Sequence, residues 1–193
     1  MTARNQAALD FLLSRRSYPA KMMTDGPVPD DAELELILTA AARTPDHGKL
    51  EPWRFVVARA PALRRIADSM DALGPRIGIE PEKVAKSTML YRTSQLAVVV
   101  VSSPKPSEKV PHIEQVLSSG AVCVALVNAA TAAGWGANWL SGWASHDQDF
   151  ARDTLGLTPQ ETIAGIIHLG TPGPAAPERP RPDLSKLVTW LDK

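Results

Sequence analysis

The sequence predicts one domain that mixes helices with strands. Three observations carry this. The chain has 193 residues, 44% of them hydrophobic, enough for one substantial core. Several runs place apolar residues at helical spacing, as Leu34, Ile37, Leu38 and Ala41 do. Four other runs are short, apolar and bounded by turn residues, among them "QLAVVVV", which is apolar on both faces and so suits a covered central strand.

The elements follow in order. An opening helix covers about Asn5 to Ser14. A second runs from about Asp31 to Arg43, with Asp30 as its cap, Glu33 placed for a capping box, and Pro45 as its stop. "WRFVVA", Trp53 to Ala58, reads as a strand. A third helix starts at Pro61 and uses Leu63, Ile66, Ala67 and Met70, with Gly74 and Pro75 expected to end it. A weaker helix follows Pro81, a residue suited to a first turn. After the "QLAVVVV" strand comes the longest helix, about Ile113 to Ala133, with small residues along it. "GWGANWL" turns into a short strand. "DQDFARDTLGL" is a short helix stopped by Gly156, and "ETIAGIIHLG" is the last strand. Residues 1–170 make the domain. Residues 171–193 form an arm with five prolines between Pro172 and Pro182, then an apolar pattern of Leu184, Leu187, Val188 and Leu191. A stiff arm that clasps its own body or a partner chain fits that composition, and so does a disordered tail.

Composition excludes several functions. Lys+Arg and Asp+Glu are both 21, so no basic excess points to nucleic acid or to an anionic membrane surface. The N-terminus has no signal pattern, and the stretch 118–140 is too diluted by Ala, Gly and Asn to read as a membrane span, which leaves cytoplasm as the expected location. One cysteine, Cys123, excludes an intrachain disulfide and a cysteine-based zinc site, and the four histidines lack metal-ligand spacing, so no metal is expected. Cys123 itself sits in an apolar helical run and reads as packing. There is no G-x-S-x-G, H-E-x-x-H, Walker or G-x-G-x-x-G motif. An enzyme on this chain would borrow its chemistry from a cofactor.

Three clusters could hold one. Arg15, Arg16 and Ser17 close the first helix; they form a compact donor set for a phosphate dianion, or a solvated helix end. In "AARTPDHGKLEPWRF", Arg43 and His47 flank a proline turn; His47 is either a donor to a ligand or a turn histidine satisfied by backbone. "AATAAGWGANWLSG" offers backbone N–H groups, the plane of Trp139 and the hydroxyl of Ser141. It reads equally as a tight helix-to-strand connection.

Taken together, "RRS", then "R-x-P-D-H" before "PW" and a strand, then "KVP-x-x-E-Q", then "G-x-G-x-x-W-x-S-G" resemble the nitroreductase family, in particular its short bacterial branch. The resemblance runs from about Leu9 to Gly170. It implies an α+β fold, a mostly antiparallel central sheet wrapped by helices, and an intertwined homodimer with FMN at the subunit interface. It implies that Arg15, Arg16 and Ser17 hold the phosphate and ribityl chain. Arg43 and His47 would contact the flavin from the next loop or the other subunit, and Trp139, Leu140 and Ser141 would line the cofactor. Ala129, Ala130, Thr131, Ala132, Ala133 and Gly134 would match a segment for NAD(P)H, with NADPH or NADH as electron donor. The long helix would lie along the dimer interface. The implied reaction is ping-pong hydride transfer from NAD(P)H to flavin and on to a small-molecule acceptor, a nitroaromatic or a quinone. A flavin carrier or redox sensor with little turnover is the competing expectation. Leu50 and Glu51 depart from the family's Asn and Gln before "PW", which puts a flavin contact by Glu51 in doubt. Arg179 and Arg181 stand where relatives place a further phosphate-binding arginine.

Overall fold

The computed structural model describes residues 3–191. Its sheet has four strands: β1 (Trp53–Arg59), β2 (Leu96–Ser102), β3 (Gly136–Leu140) and β4 (Thr162–Gly170). Their spatial order is β1-β2-β4-β3, and every neighbouring pair is antiparallel. The α+β architecture is thus as expected. All seven residues of β2 are buried. Helices cover both of its faces, which is why its sequence is a continuous apolar run and does not alternate.

Six α-helices surround the sheet: α1 (Gln6–Ser14), α2 (Asp31–Ala41), α3 (Ala60–Arg76), α4 (Pro81–Thr93), α5 (His112–Ala132) and α6 (Gln148–Leu155). On one face, Leu34, Ile37 and Ala41 of α2 and Val122, Leu126 and Ala130 of α5 pack on Leu96, Val98, Val100, Ile167 and Leu169. On the other, Leu63, Ile66 and Met70 of α3 and Phe150 of α6 pack on Ala97, Val99, Val101 and Ile166. Although α5 is long and apolar enough to cross a membrane, its buried residues face the sheet. Cys123 lies among them, and burial pushes its thiol up to about 12, so it packs and does not react.

Local chemistry explains the helix ends. Asn5, Asp30 and Asp147 cap α1, α2 and α6 through their side-chain oxygens. Gly156 ends α6 in the left-handed conformation at φ 68. Two expectations need correction. α2 stops at Ala41, so Arg43 lies beyond it. α3 runs through Gly74 and Pro75 to Arg76. Gly74 is there for contact, since a Cβ on it would sit 2.4 Å from Val84 Cγ2 of α4.

The Arg54–Glu161 ion pair joins a partly exposed guanidinium to a buried carboxylate. Arg54 Nε donates to Glu161 Oε1 at 2.7 Å and Arg54 Nη2 to Oε2 at 2.8 Å, and Thr158 N–H adds a third bond at 2.9 Å. The Arg54 hydrogen bonds hold the buried Glu161 carboxyl down at about 2. Glu161→Ala should therefore destabilise the protein by about 2 kcal/mol, measured by urea unfolding, because Arg54 and the Thr158 amide lose their acceptor together. An unchanged midpoint would show that water replaces the carboxylate at no cost.

The proline arm folds back on the chain's own N-terminal segment. Thr24 N–H donates to Thr171 O at 3.0 Å, Met23 bridges Pro172, the Tyr18 hydroxyl donates to Pro174 O, and Arg16 Nε donates to Pro177 O at 3.2 Å. Beyond it, Leu184, Leu187, Trp190 and Leu191 are exposed, and the apolar pattern yields one 3₁₀ turn, Leu184–Lys186.

Candidate functional site

The chain leaves α1 at Arg15, whose backbone is extended at φ -53, ψ 141. Three residues later Tyr18 N–H donates to Ala137 O at 2.8 Å, so Arg15, Arg16 and Ser17 lie beside the free edge of β3. Arg15 Nη2 donates to Ser17 Oγ at 2.9 Å, while Arg16 Nη1 donates to Ser17 O at 3.1 Å. Among the described residues neither guanidinium makes an ion pair, and Arg15 Nε is buried with no acceptor. Two half-buried cations without an ion-pair partner among the described residues, one with an orphaned donor, have the chemistry to accept a multivalent anion.

The same segment leads into a cavity of about 580 Å³. Pro19, Ala20 and Lys21 form one wall. Lys86, Met89, Leu90 and Thr93 of α4 form another, and Asn138 and Leu140 of β3 the third. Its lining is mostly apolar and carries no carboxylate. It has room for a flat heterocycle, and its wall begins at Pro19, two residues past Ser17.

Strand alternation divides the predicted residues of β3. Asn138 and Leu140 face the cavity; Trp139 faces the opposite side, where its indole lies over Gly165, 2.1 Å from where a Cβ would stand. Trp139 and Leu140 thus send their side chains to opposite sides of the strand. Ser141 is exposed past the strand end. Of the segment expected to meet NAD(P)H, Ala130 is wholly buried in the core and the Thr131 hydroxyl is spent on Val127 O at 2.7 Å. Ala129 is half-buried, and only Ala132, Ala133 and Gly134 are exposed.

Arg43 and His47 lie elsewhere. Ser118 Oγ of α5 donates to Pro45 O at 3.0 Å and accepts from Trp53 Nε1 at 3.2 Å, which ties their loop to β1. β1 is the opposite edge of the sheet from β3, about 14 Å away at three strand spacings. Within one chain the two groups are not brought together. Both residues are exposed, and His47 Nδ1 is 2.6 Å from Glu114 Oε2 at the start of α5. Glu51 is exposed too, in the left-handed region at φ 48. On the arm, Arg181 pairs with Glu178 at 2.8 Å and Arg179 is exposed.

Lys21, Lys86, Met89, Thr93 and Asn138 also line the cavity, and none belongs to the three clusters read from the sequence. Asn138 is two positions before Leu140 and so was findable by alternation. Lys86, Met89 and Thr93 share one face of α4 by their spacing, but no local signal says what that face meets.

Comparisons agree with this architecture. The model of the Nitroreductase family matches residues 12–171. The chain is 32% identical over 185 residues to a protein of Escherichia coli (strain K12) named "Putative NAD(P)H nitroreductase YdjA", covering 95% of this chain and 99% of that one. Its fold matches a nitroreductase-like family protein from Bacillus cereus with TM-score 0.80 at 22% identity, over 100% of both chains. It also matches a mutant of NfnB, an FMN and NADPH-dependent nitroreductase from Sphigopyxis sp. strain HMH, with TM-score 0.76 at 22% identity over 95% and 98% of the two chains. With a family match across most of its length and a full-length relative of this identity, the chain belongs to the nitroreductase family.

Proposed function

We propose that the protein is an FMN-dependent NAD(P)H oxidoreductase of nitroreductase type, acting as a homodimer whose two sites are each built across both copies. The observation that carries this is the orphaned donor of Arg15 beside Arg16 and Ser17, on the segment that continues into the apolar cavity wall at Pro19, Ala20 and Lys21. A phosphate monoester supplies the missing acceptor, and a flat ring system suits the cavity. FMN has both parts. The names of relatives support the donor and cofactor: one is called an NAD(P)H nitroreductase, another FMN and NADPH-dependent.

When bound, FMN supplies two-electron redox chemistry, which makes a ping-pong exchange between NAD(P)H and a nitroaromatic or quinone acceptor possible. The chain's residues bind and orient. Arg15, Arg16 and Ser17 hold the phosphate. Met89, Leu90 and Leu140 exclude water, and Thr93 and Asn138 offer polar contacts.

Two features support the dimer. α1 buries none of its residues, and Leu9, Leu12 and Leu13 stand exposed on it. A helix of nine residues with no packing is marginal alone. Ile113, Leu117, Ala121 and Val124 form an exposed apolar stripe on α5. A second copy would cover both, and would bring Arg43 and His47 to the other chain's cavity.

The test mixes two defective proteins. Arg16→Ala and His47→Ala each weaken FMN binding alone. Equal amounts, unfolded together and refolded, should regain parental affinity in about a quarter of the sites, because half the dimers are mixed and each holds one intact site. Absence of any such high-affinity fraction would place both residues in one chain's site and overturn the shared arrangement. Anaerobic bleaching of the bound flavin by NADH or NADPH tests the reductase reading.

A further inference from the structure

We infer that Glu114 is a positioning residue that sets His47 for the flavin bound by the partner copy; this rests on the functional reading above. Three observations converge. First, His47 Nδ1 and Glu114 Oε2 are 2.6 Å apart, a charge-assisted geometry across 67 residues of chain. A carboxylate only accepts, so Nδ1 carries the hydrogen in that bond. That leaves Nε2 as the free ring nitrogen, and it makes no hydrogen bond within the described residues.

Second, the loop that carries His47 is held in a conformation that side chains disfavour. Gly48, Lys49 and Glu51 have φ of 75, 55 and 48. Lys49 and Glu51 are not glycines; Lys49 ends the short 3₁₀ turn His47–Lys49, and Glu51 lies between that turn and β1. The Asp46 carboxylate accepts from Leu50 N–H at 2.6 Å, and Ser118 Oγ binds Pro45 O, so the distorted turn is fastened at both ends. Loops fastened in such a shape present a side chain in one direction.

Third, the pair opens onto the face that lacks cover. A surface hollow of about 360 Å³ is lined by Pro45, Asp46, His47, Glu114, Leu117, Ser118 and Ala121. Leu117 and Ala121 belong to the exposed stripe of α5, so a second copy seated there meets His47 directly. The imide N–H and the ribityl hydroxyls of FMN are the donors that a fixed Nε2 acceptor would take.

The proposal is tested on the full chain with Glu114→Ala and Glu114→Gln. In the apo protein, imidazole ¹⁵N shifts should show His47 in the Nδ1–H form for the parent and for Glu114→Gln, whose amide oxygen still accepts, but a tautomer mixture for Glu114→Ala. FMN titration should give an affinity about tenfold weaker for Glu114→Ala, the loss of one well-set hydrogen bond, and largely recovered in Glu114→Gln. Sedimentation should show all three as dimers. Unchanged shifts and unchanged FMN affinity in Glu114→Ala would overturn the assignment. So would a loss of FMN that appears only together with dissociation, since Glu114 would then be an interface residue alone. If the parent binds no FMN, the functional reading fails and this inference with it; if the parent binds and Glu114→Ala binds equally, only the inference fails.

Discussion

A protein with both Arg15 and Arg16 changed to alanine should bind FMN roughly a thousandfold more weakly than its parent, while its affinity for riboflavin stays nearly the same. Hydrogen bonds to a charged group are worth about 1.5–3 kcal/mol each, and two guanidinium groups are removed from one dianion. Riboflavin lacks the phosphate, so it reports everything else in the cavity. The two substitutions differ in their side effects. Arg15 gives the fold only a bond to Ser17 Oγ and leaves Nε buried without an acceptor, so Arg15→Ala should melt no lower than the parent. Arg16 also holds Pro177 O, so Arg16→Ala should loosen the arm as well. Equal losses for FMN and riboflavin would mean that the arginine pair shapes the cavity and does not grip phosphate. Undiminished FMN binding would remove the pair from the site altogether.

Stability should fall by about 3 kcal/mol as the pH drops from about 6.5 to about 4, and His168 should be the cause. Its side chain has no solvent exposure; it lies in β4 opposite Ala97 and Asn138, with the Tyr91 ring edge-on at 5.2 Å. Nδ1 is 2.9 Å from Ser94 Oγ, and Nε2 is buried with no partner. Burial pulls the imidazole down to about 4. The unfolded chain takes up that proton near pH 6.5, the folded chain only near 4. Between the two values the unfolded state binds more protons, so stability is full above the window and is lost as the pH falls through it. Glu161 then adds its own loss as the pH falls from its unfolded value toward about 2. Urea unfolding across this range checks the prediction, with His168→Leu as the control. That variant should be flat between pH 6.5 and the onset of carboxylate protonation. A parent that is equally flat would show that water reaches the ring.

Much of the fold is written locally. Asp30 and Asp147 as caps, Gly156 as a stop and the two-sided apolarity of β2 each follow from a residue's own chemistry or from spacing within one element. Where local reading fails, a neighbour distant in sequence decides. Gly74 and Pro75 look like a helix stop, yet α3 passes through them because α4 needs the space at Gly74 to approach. The side of the sheet that the Trp139 indole takes is likewise set by Gly165 on the next strand, which leaves room for it.

The site divides the same way. By itself the sequence offered Arg15, Arg16 and Ser17 as a donor set, with a solvated helix end as the other reading of the same residues. It also determined the family, through the order of its motifs. Only the tertiary structure decided that Lys86 and Met89 of α4 and Asn138 of β3 share a cavity with Pro19, Ala20 and Lys21, and that His47 stands at the other edge against Glu114. The physical reason is range. Spacing and capping act within a few residues, whereas the strand order β1-β2-β4-β3 comes from burying two sheet faces at once, and that order sets which side chains meet.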